Sequence, residues 1–314
     1  MRLHVIFLKS LHDLSGVKRC LIFLGVLLAV PLIASIAIAE SDPMGVPFSK
    51  LTLGMQVQFT TGLFIVLAFL WTAGIPLVLL TGLTCGSAIA KEDEEGTLLL
   101  LVSKPVGRAE IVLGKSLAFA ANAAQIELAA LLLTPVAIHL VAGTDILALE
   151  TMLSLVPWLF LYSLVVLSAF GALSLALSSL MRSRMRTLIV VVALAILIFF
   201  GIGTARGLAG GFYERYGLYT VDLNYHLGNA YLVFTERSGV RVMPIFQGII
   251  GQFTGTYDAG DIEKIFDRDI GAMPPALEPK GYLPEEVSLA LWLALGIGML
   301  AFAILDFERR EVAR

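Results

Sequence analysis

Apolar positions collect in six long runs, residues 20–39, 62–89, 116–138, 152–181, 187–205 and 287–305, and every charged residue except Glu127 falls between them. A membrane-crossing helix needs ~20 consecutive apolar residues, because in hydrocarbon no water is available to satisfy backbone groups. Each run therefore predicts a spanning helix. The first lies too deep in the chain and runs too long for a signal-peptide core, so it is read as an uncleaved span. Ahead of it, Leu3, Phe7, Leu11 and Leu14 recur at helical spacing with Val17 one turn later, while Lys9, His12, Asp13 and Arg19 lie largely elsewhere on the wheel. That pattern predicts an amphipathic helix along the membrane interface, with His4 and Lys18 as intrusions on its apolar side.

Composition agrees with the pattern: 58% of residues are hydrophobic and 15% charged, as in a polytopic membrane protein. The expected fold is all-α: six transmembrane helices, an N-terminal interfacial helix (1–19) and a long extracytoplasmic loop (206–286) between helices 5 and 6. Helices 1–5 occupy 20–205, and 287–314 holds helix 6 with its tail. A net charge of -3 without a basic stripe excludes a nucleic-acid partner. Cys20 and Cys85 are too few for a disulfide framework or a cysteine metal site. Lys and Arg collect before helix 1 (Arg2, Lys9, Lys18, Arg19), between helices 4 and 5 (Arg182, Arg184, Arg186) and after helix 6 (Arg309, Arg310, Arg314). Cytoplasmic loops hold such an excess, which predicts cytoplasmic termini in the cell membrane.

The stretch 206–286 opens glycine-rich, continues through Tyr213, Tyr216, Tyr219, Tyr225 and Tyr231, and closes on Pro274, Pro275, Pro279 and Pro284. It reads as too polar to be buried. Tyrosine at that density suits the membrane–water boundary, with ring buried and hydroxyl wet. Residues 244–253 are apolar but too few to cross, so a re-entrant or interfacial segment is expected. Asp258, Asp261, Glu263, Asp267 and Asp269 lack the spacing of a calcium loop and read as a solvated face. His139 and His226 have no cysteine partners, and the scattered methionines read as packing, so no metal site is expected.

Charge is densest in residues 91–116, KEDEEGTLLLLVSKPVGRAEIVLGKS, which end like a phosphate-binding loop. Such a loop needs a first Gly five positions before its Gly-Lys, so that successive N–H groups curl around phosphate; here that position is Ala109. No nucleotide site follows. Gly96 can end the helix continuing from span 2, and Pro105 pushes Lys104 out of helical geometry while preparing a new start. The short apolar run 98–102 is then buried by lipid, by a partner's groove or by its own bundle.

The order Glu95-Gly96-Thr97, an apolar run, Pro105-Val106, Arg108 and Leu113-Gly114-Lys115 resembles the signature of ABC-2 type permeases, the membrane subunits of one class of ABC transporter. The resemblance implies that the segment between helices 2 and 3 docks on a separate cytoplasmic ATPase holding Mg-ATP, and that two permease chains pair in the complex. This chain would then be no enzyme and carry no cofactor. By position, residues 92–96, with Glu92, Glu95 and Gly96, belong to the connecting turn and Pro105, Arg108 and Glu110 to the face near the ATPase, while Lys115 joins the segment to the third span as its lever; Arg182 and Arg184 form a smaller contact or a plain positive-inside anchor. The loop 206–286 is longer than in compact members, which leaves room for an extracytoplasmic partner protein.

Glu127 lies near mid-membrane, where an ionised carboxylate costs several kcal/mol unless hydrated, paired or neutralised. It reads as a folding group or as part of a pathway. At 100° per residue Gln125 points about 200° away from it. Ala118, Ala121, Asn122 and Gln125 form a small, polar stripe suited to close helix approach at a dimer seam. The pathway candidates are thus Asn122, Gln125 and Glu127. Two further function classes stay open: an ion-coupled secondary transporter using Glu127, and a membrane subunit relaying ATPase motion to an outside partner.

Overall fold

The apolar runs are helical, and each helix extends beyond the run that predicts it. The computed structural model describes residues 2–42, 46–96, 107–181, 183–257 and 276–309. Among the described residues, six helical stretches are long and apolar enough to cross a membrane: Val17–Ala39, Leu53–Glu92, Arg108–Ala142, Ile146–Met181, Arg184–Ala209 and Glu285–Arg309. Among the described residues no strand is present, only an isolated bridge between Tyr257 and Pro279.

The N-terminal helix α1 (Arg2–Leu14) packs against the start of span 3. Its predicted apolar face is used there: Leu14 is buried, and Phe7 and Leu11 join a cluster containing Ile111, Val112 and Phe119. Val5 and Leu8 point outward instead. Span 1 is α2 (Val17–Ala39).

Span 2 is composite. Helix α3 (Leu53–Leu67) runs into a π turn, Ala68–Thr72, and resumes as α4 (Ile75–Cys85). Pro76 lacks the N–H that would close on Thr72, so the ladder breaks here. Gly74 fits the break because a Cβ would meet the Leu70 carbonyl oxygen at 2.3 Å. The short α5 (Ala90–Glu94) follows. Spans 3 and 4 are single long helices, α6 (Arg108–Ala142) and α7 (Ile146–Met181), joined through a left-handed Gly143. Span 4 is the hub, touching spans 2, 3, 5 and 6. Span 5 repeats the irregularity of span 2: α8 (Arg184–Ile196), a π turn Leu197–Gly201, then α9 (Ile202–Ala209).

The segment after span 5 departs most from expectation. It forms α10 (Gly211–Arg215), α11 (Leu223–Arg237) and α12 (Pro244–Thr254) before span 6, α13 (Glu285–Arg309). Far from being too polar to bury, α11 has Asn224, Tyr225, His226, Asn229 and Tyr231 all buried. It packs on spans 4 and 6 and on α12. The hydroxyls of Tyr213 and Tyr231 are bonded inside the protein, whereas Tyr216 is 65% exposed. Residues 244–253 are helical as α12, whose Phe246 packs against Gly62 of span 2. The acidic positions 258–269 and the prolines at 274 and 275 lie outside the described residues.

Candidate functional site

At the end of the bundle carrying both termini, the charged segment is tied to four spans. Helix α5 is too short to hold itself, and its first N–H groups are bonded from span 4: Ser178 Oγ accepts from Ile89 N at 3.3 Å and from Ala90 N at 3.1 Å. From span 3, Lys115 Nζ donates to the Ala88 carbonyl at 2.7 Å and pairs with the Glu92 carboxylate. Lys115 is only 9% exposed, so this pair works in a low-dielectric setting where breaking it leaves a buried charge. The span 5 helix begins with its Arg184 N–H donating to Glu94 Oε1 at 3.0 Å. Arg108 Nη1 reaches the carbonyls of Phe307 (3.3 Å) and Glu308 (3.0 Å), capping the last turn of span 6.

The same region explains two features of the motif. Glu110 reaches back to the Gly107 N–H at 3.3 Å and so caps the start of α6. Gly114 lets α1 close down, because a Cβ there would lie 2.8 Å from Ile6 Cγ2. Gly96 stands at φ +67 beyond α5, a left-handed conformation that favours glycine. Glu95 is exposed, and its carboxylate lies 3.8 Å from Lys91, a solvated pair of small energetic consequence. Pro105, Arg182 and the apolar run 98–102 lie outside the described residues.

Inside the bundle, Glu127 is fully buried where span 3 meets span 4. Ser163 Oγ lies 3.2 Å from Glu127 Oε1 and also 2.9 Å from the Leu159 carbonyl, while Oε2 has no hydrogen-bond partner. The three pathway candidates do not converge. Asn122 is buried facing span 1, with Cys20 Sγ 3.9 Å from its Oδ1, and Gln125 is exposed on the outer surface. The small-residue stripe is accordingly split: Ala118 and Asn122 are buried within this chain, Ala121 is half-buried and Gln125 is exposed.

At the opposite end, α11 supplies hydrogen bonds to both irregular spans. Tyr231 Oη donates to the Ile65 carbonyl at 2.7 Å, just before the π turn of span 2. Asn224 Nδ2 donates to the carbonyls of Ile198 (2.8 Å) and Phe199 (3.3 Å), within the π turn of span 5. A π turn leaves carbonyls out of the helical ladder, and buried ones need a partner. The start of α11 is itself clamped: Asp222 accepts from Tyr225 N at 2.8 Å as a helix cap and pairs with Arg206 at 2.7 Å. Tyr213 Oη donates to Asp222 at 2.8 Å. Burial, and then the neighbouring carboxylate, push that tyrosine well above its ordinary range, so it stays a donor. His226 bonds Ser288 and the Thr220 carbonyl through its two ring nitrogens at 2.9 and 3.0 Å, and Asn229 donates to Ser288 at 3.0 Å.

Ser178, Ser163, Asp222 and Asn224 were not singled out from the sequence, whereas Glu94 falls inside the predicted connecting turn. Of these, Asp222 carried a signal, an Asx residue directly before a helix start. Among the described residues no group of three His, Cys, Asp or Glu is placed to hold a metal ion.

Compared with known proteins, the chain matches the family model described as ABC-2 family transporter protein over residues 11–312. None of the curated proteins compared with it matches.

Proposed function

The chain belongs to the ABC-2 family of transporter proteins, and from that premise we propose that it is the permease of an exporter driven through residues 91–116 by a separate cytoplasmic ATPase. The observation that carries this reading is the clamping of the charged segment to spans 3, 4, 5 and 6 by Lys115, Ser178, Arg184 and Arg108. A partner can shift a two-state bundle only as far as it binds one state better, so coupling requires a stiff link between its surface and the spans. A free loop would absorb the push. The clamped ends of this segment, around Glu92 and from Arg108 to Lys115, would pass it on.

Within that reading the contact residues divide by role. Glu95, Gly96 and Arg184, which are exposed, together with Pro105 and Arg182, meet the ATPase. Glu92, Arg108, Glu110 and Lys115 transmit the load into the chain. Mg-ATP sits in the partner, two permease chains assemble, and both termini face the cytoplasm of the cell membrane in which the protein resides. Export follows from family analogy.

A second role attaches to Glu127. A fully buried carboxyl with one oxygen lacking a partner is an expensive feature for a membrane bundle to keep, which favours a place in the transport cycle.

Purification of the chain with its ATPase and assay of nucleotide hydrolysis test the proposal. Hydrolysis is expected in the complex and not in the chain alone. Hydrolysis by the isolated chain would overturn it.

A further inference from the structure

Spans 2 and 5 are each built from two helical pieces joined by a π turn, and their pieces belong to two different bodies. The pieces nearer the charged segment, α4 and α8, are packed on each other so closely that a Cβ on Gly82 would come within 2.9 Å of Val191 Cγ1. Glu94, which follows span 2, also accepts from the Arg184 N–H that opens span 5. The far pieces are held elsewhere. Helix α3 carries Gly62, against which Phe246 of α12 packs, and α9 carries Arg206, which pairs with Asp222 and donates to the Phe253 carbonyl at 3.4 Å. Helices α11 and α12 pack on each other and so join these two attachments. The π turns Ala68–Thr72 and Leu197–Gly201 are therefore where one body gives way to the other. A π turn closes a wider ring than the α-helix around it, which makes it the place where a helix bends.

Helix α11 reaches both turns with side-chain donors. Tyr231 Oη bonds the Ile65 carbonyl at the entry to the span 2 turn, and Asn224 Nδ2 bonds the Ile198 carbonyl inside the span 5 turn. The Phe69 ring, within the span 2 turn, packs on the Tyr231 ring at 4.9 Å between centroids. The two donors stand about two turns apart on one helix, so neither can leave its carbonyl by local bending of α11. That helix is also fastened along its length. Asp222 ties its start to Arg206 of span 5, and His226 and Asn229 tie its middle to Ser288 of span 6. Each bond favours the one setting of its turn in which the carbonyl meets the donor, and a rigid helix carrying both donors favours the two settings together.

We propose that α11 is a crossbar coupling the π turns of spans 2 and 5, with Tyr231 and Asn224 as its positioning residues, so that the two turns bend as one. Helices α4 and α8 then swing as a pair against the cap made by α11 and α12. The coupling is a property of this chain and does not require the ATPase reading. Where that reading holds, the crossbar turns a push on α5 into a single movement of two spans.

Amide exchange in the full chain in phosphatidylcholine nanodiscs tests it, read at Ala73 and Ile202, whose N–H groups close the two turns on the carbonyls of Ala68 and Leu197. Tyr231→Phe removes a bond to span 2 alone. It should raise exchange about fivefold at Ala73, the factor for loss of one net hydrogen bond, and by a similar factor at Ile202 in span 5. Asn224→Ala, which removes the bonds to span 5, should likewise raise exchange at Ala73 as well as at Ile202. The middle of Arg108–Ala142 should stay as protected as in the parent chain. A response to Tyr231→Phe confined to Ala73 would overturn the crossbar, and so would no response at either turn. An equal rise within Arg108–Ala142 would overturn it too, because the bond would then hold the fold at large rather than the turns. Should Asn224→Ala not fold, Tyr231→Phe decides alone, since its hydroxyl bonds span 2 and the answer is read in span 5.

Discussion

Lys115 Nζ lies 2.7 Å from the Ala88 carbonyl oxygen and pairs with the Glu92 carboxylate, so one cation on span 3 holds both the end of span 2 and the start of the charged helix. Removing it strands a carbonyl and a part-buried carboxylate. Lys115→Ala should lower the stability of the purified chain by about 2 kcal/mol, read by thermal unfolding in detergent. A lysine serving only a partner surface would leave the isolated chain unchanged.

Arg108 caps span 6 from a distance of two hundred residues in sequence. Charge-assisted hydrogen bonds of this kind contribute ~1.5–3 kcal/mol. Arg108→Ala should raise amide exchange in the last turn of Glu285–Arg309 while leaving Ile146–Met181 protected. Equal protection in both proteins would mean the cap is idle.

Ser163 is the hydrogen-bond partner of Glu127. Ser163→Ala removes the hydrogen bond on Glu127 Oε1 and should cost about 2 kcal/mol, whereas replacing both partners by apolar groups is far less costly. The double variant Glu127→Leu with Ser163→Ala should therefore be more stable than Ser163→Ala alone. Additive losses in that cycle would deny the coupling. Glu127→Gln should insert and fold normally yet alter transport in the reconstituted complex; unaltered transport would remove Glu127 from the mechanism.

Asp222 combines a helix cap with a buried ion pair to Arg206. A cap contributes about 1 kcal/mol, and breaking a buried pair costs ~3–5 kcal/mol. Asp222→Ala should accordingly abolish monodisperse protein in detergent, and Asp222→Asn, which keeps the cap, should recover part of it. Full yield from the alanine variant would show that the clamp does not hold α11.

The spans were legible because lipid imposes length and apolarity, which a linear run of residues records directly. Their edges were less so: span 2 begins at Leu53 rather than near residue 62, since Gln56, Gln58, Thr60 and Thr61 dilute the apolar run without adding charge. The resemblance in residues 95–115 pointed to the right family. What a single sequence did not reveal is pairing across the chain. Helix α11 looks polar in isolation, yet Asn224 bonds Ile198, Tyr231 bonds Ile65 and His226 bonds Ser288, so its polarity is consumed inside the bundle. Lys115 hides its burial in the same way, because its partners lie some 25 residues upstream.

Docking of residues 91–116 on a separate ATPase is tested by photo-crosslinking from the exposed Glu95, replaced by benzoylphenylalanine in the full chain in its native membrane, with the captured protein identified by mass spectrometry. The captured protein should be an ATPase bearing a genuine phosphate-binding loop. Capture of lipid or of this chain alone, while such an ATPase co-purifies, would contradict it.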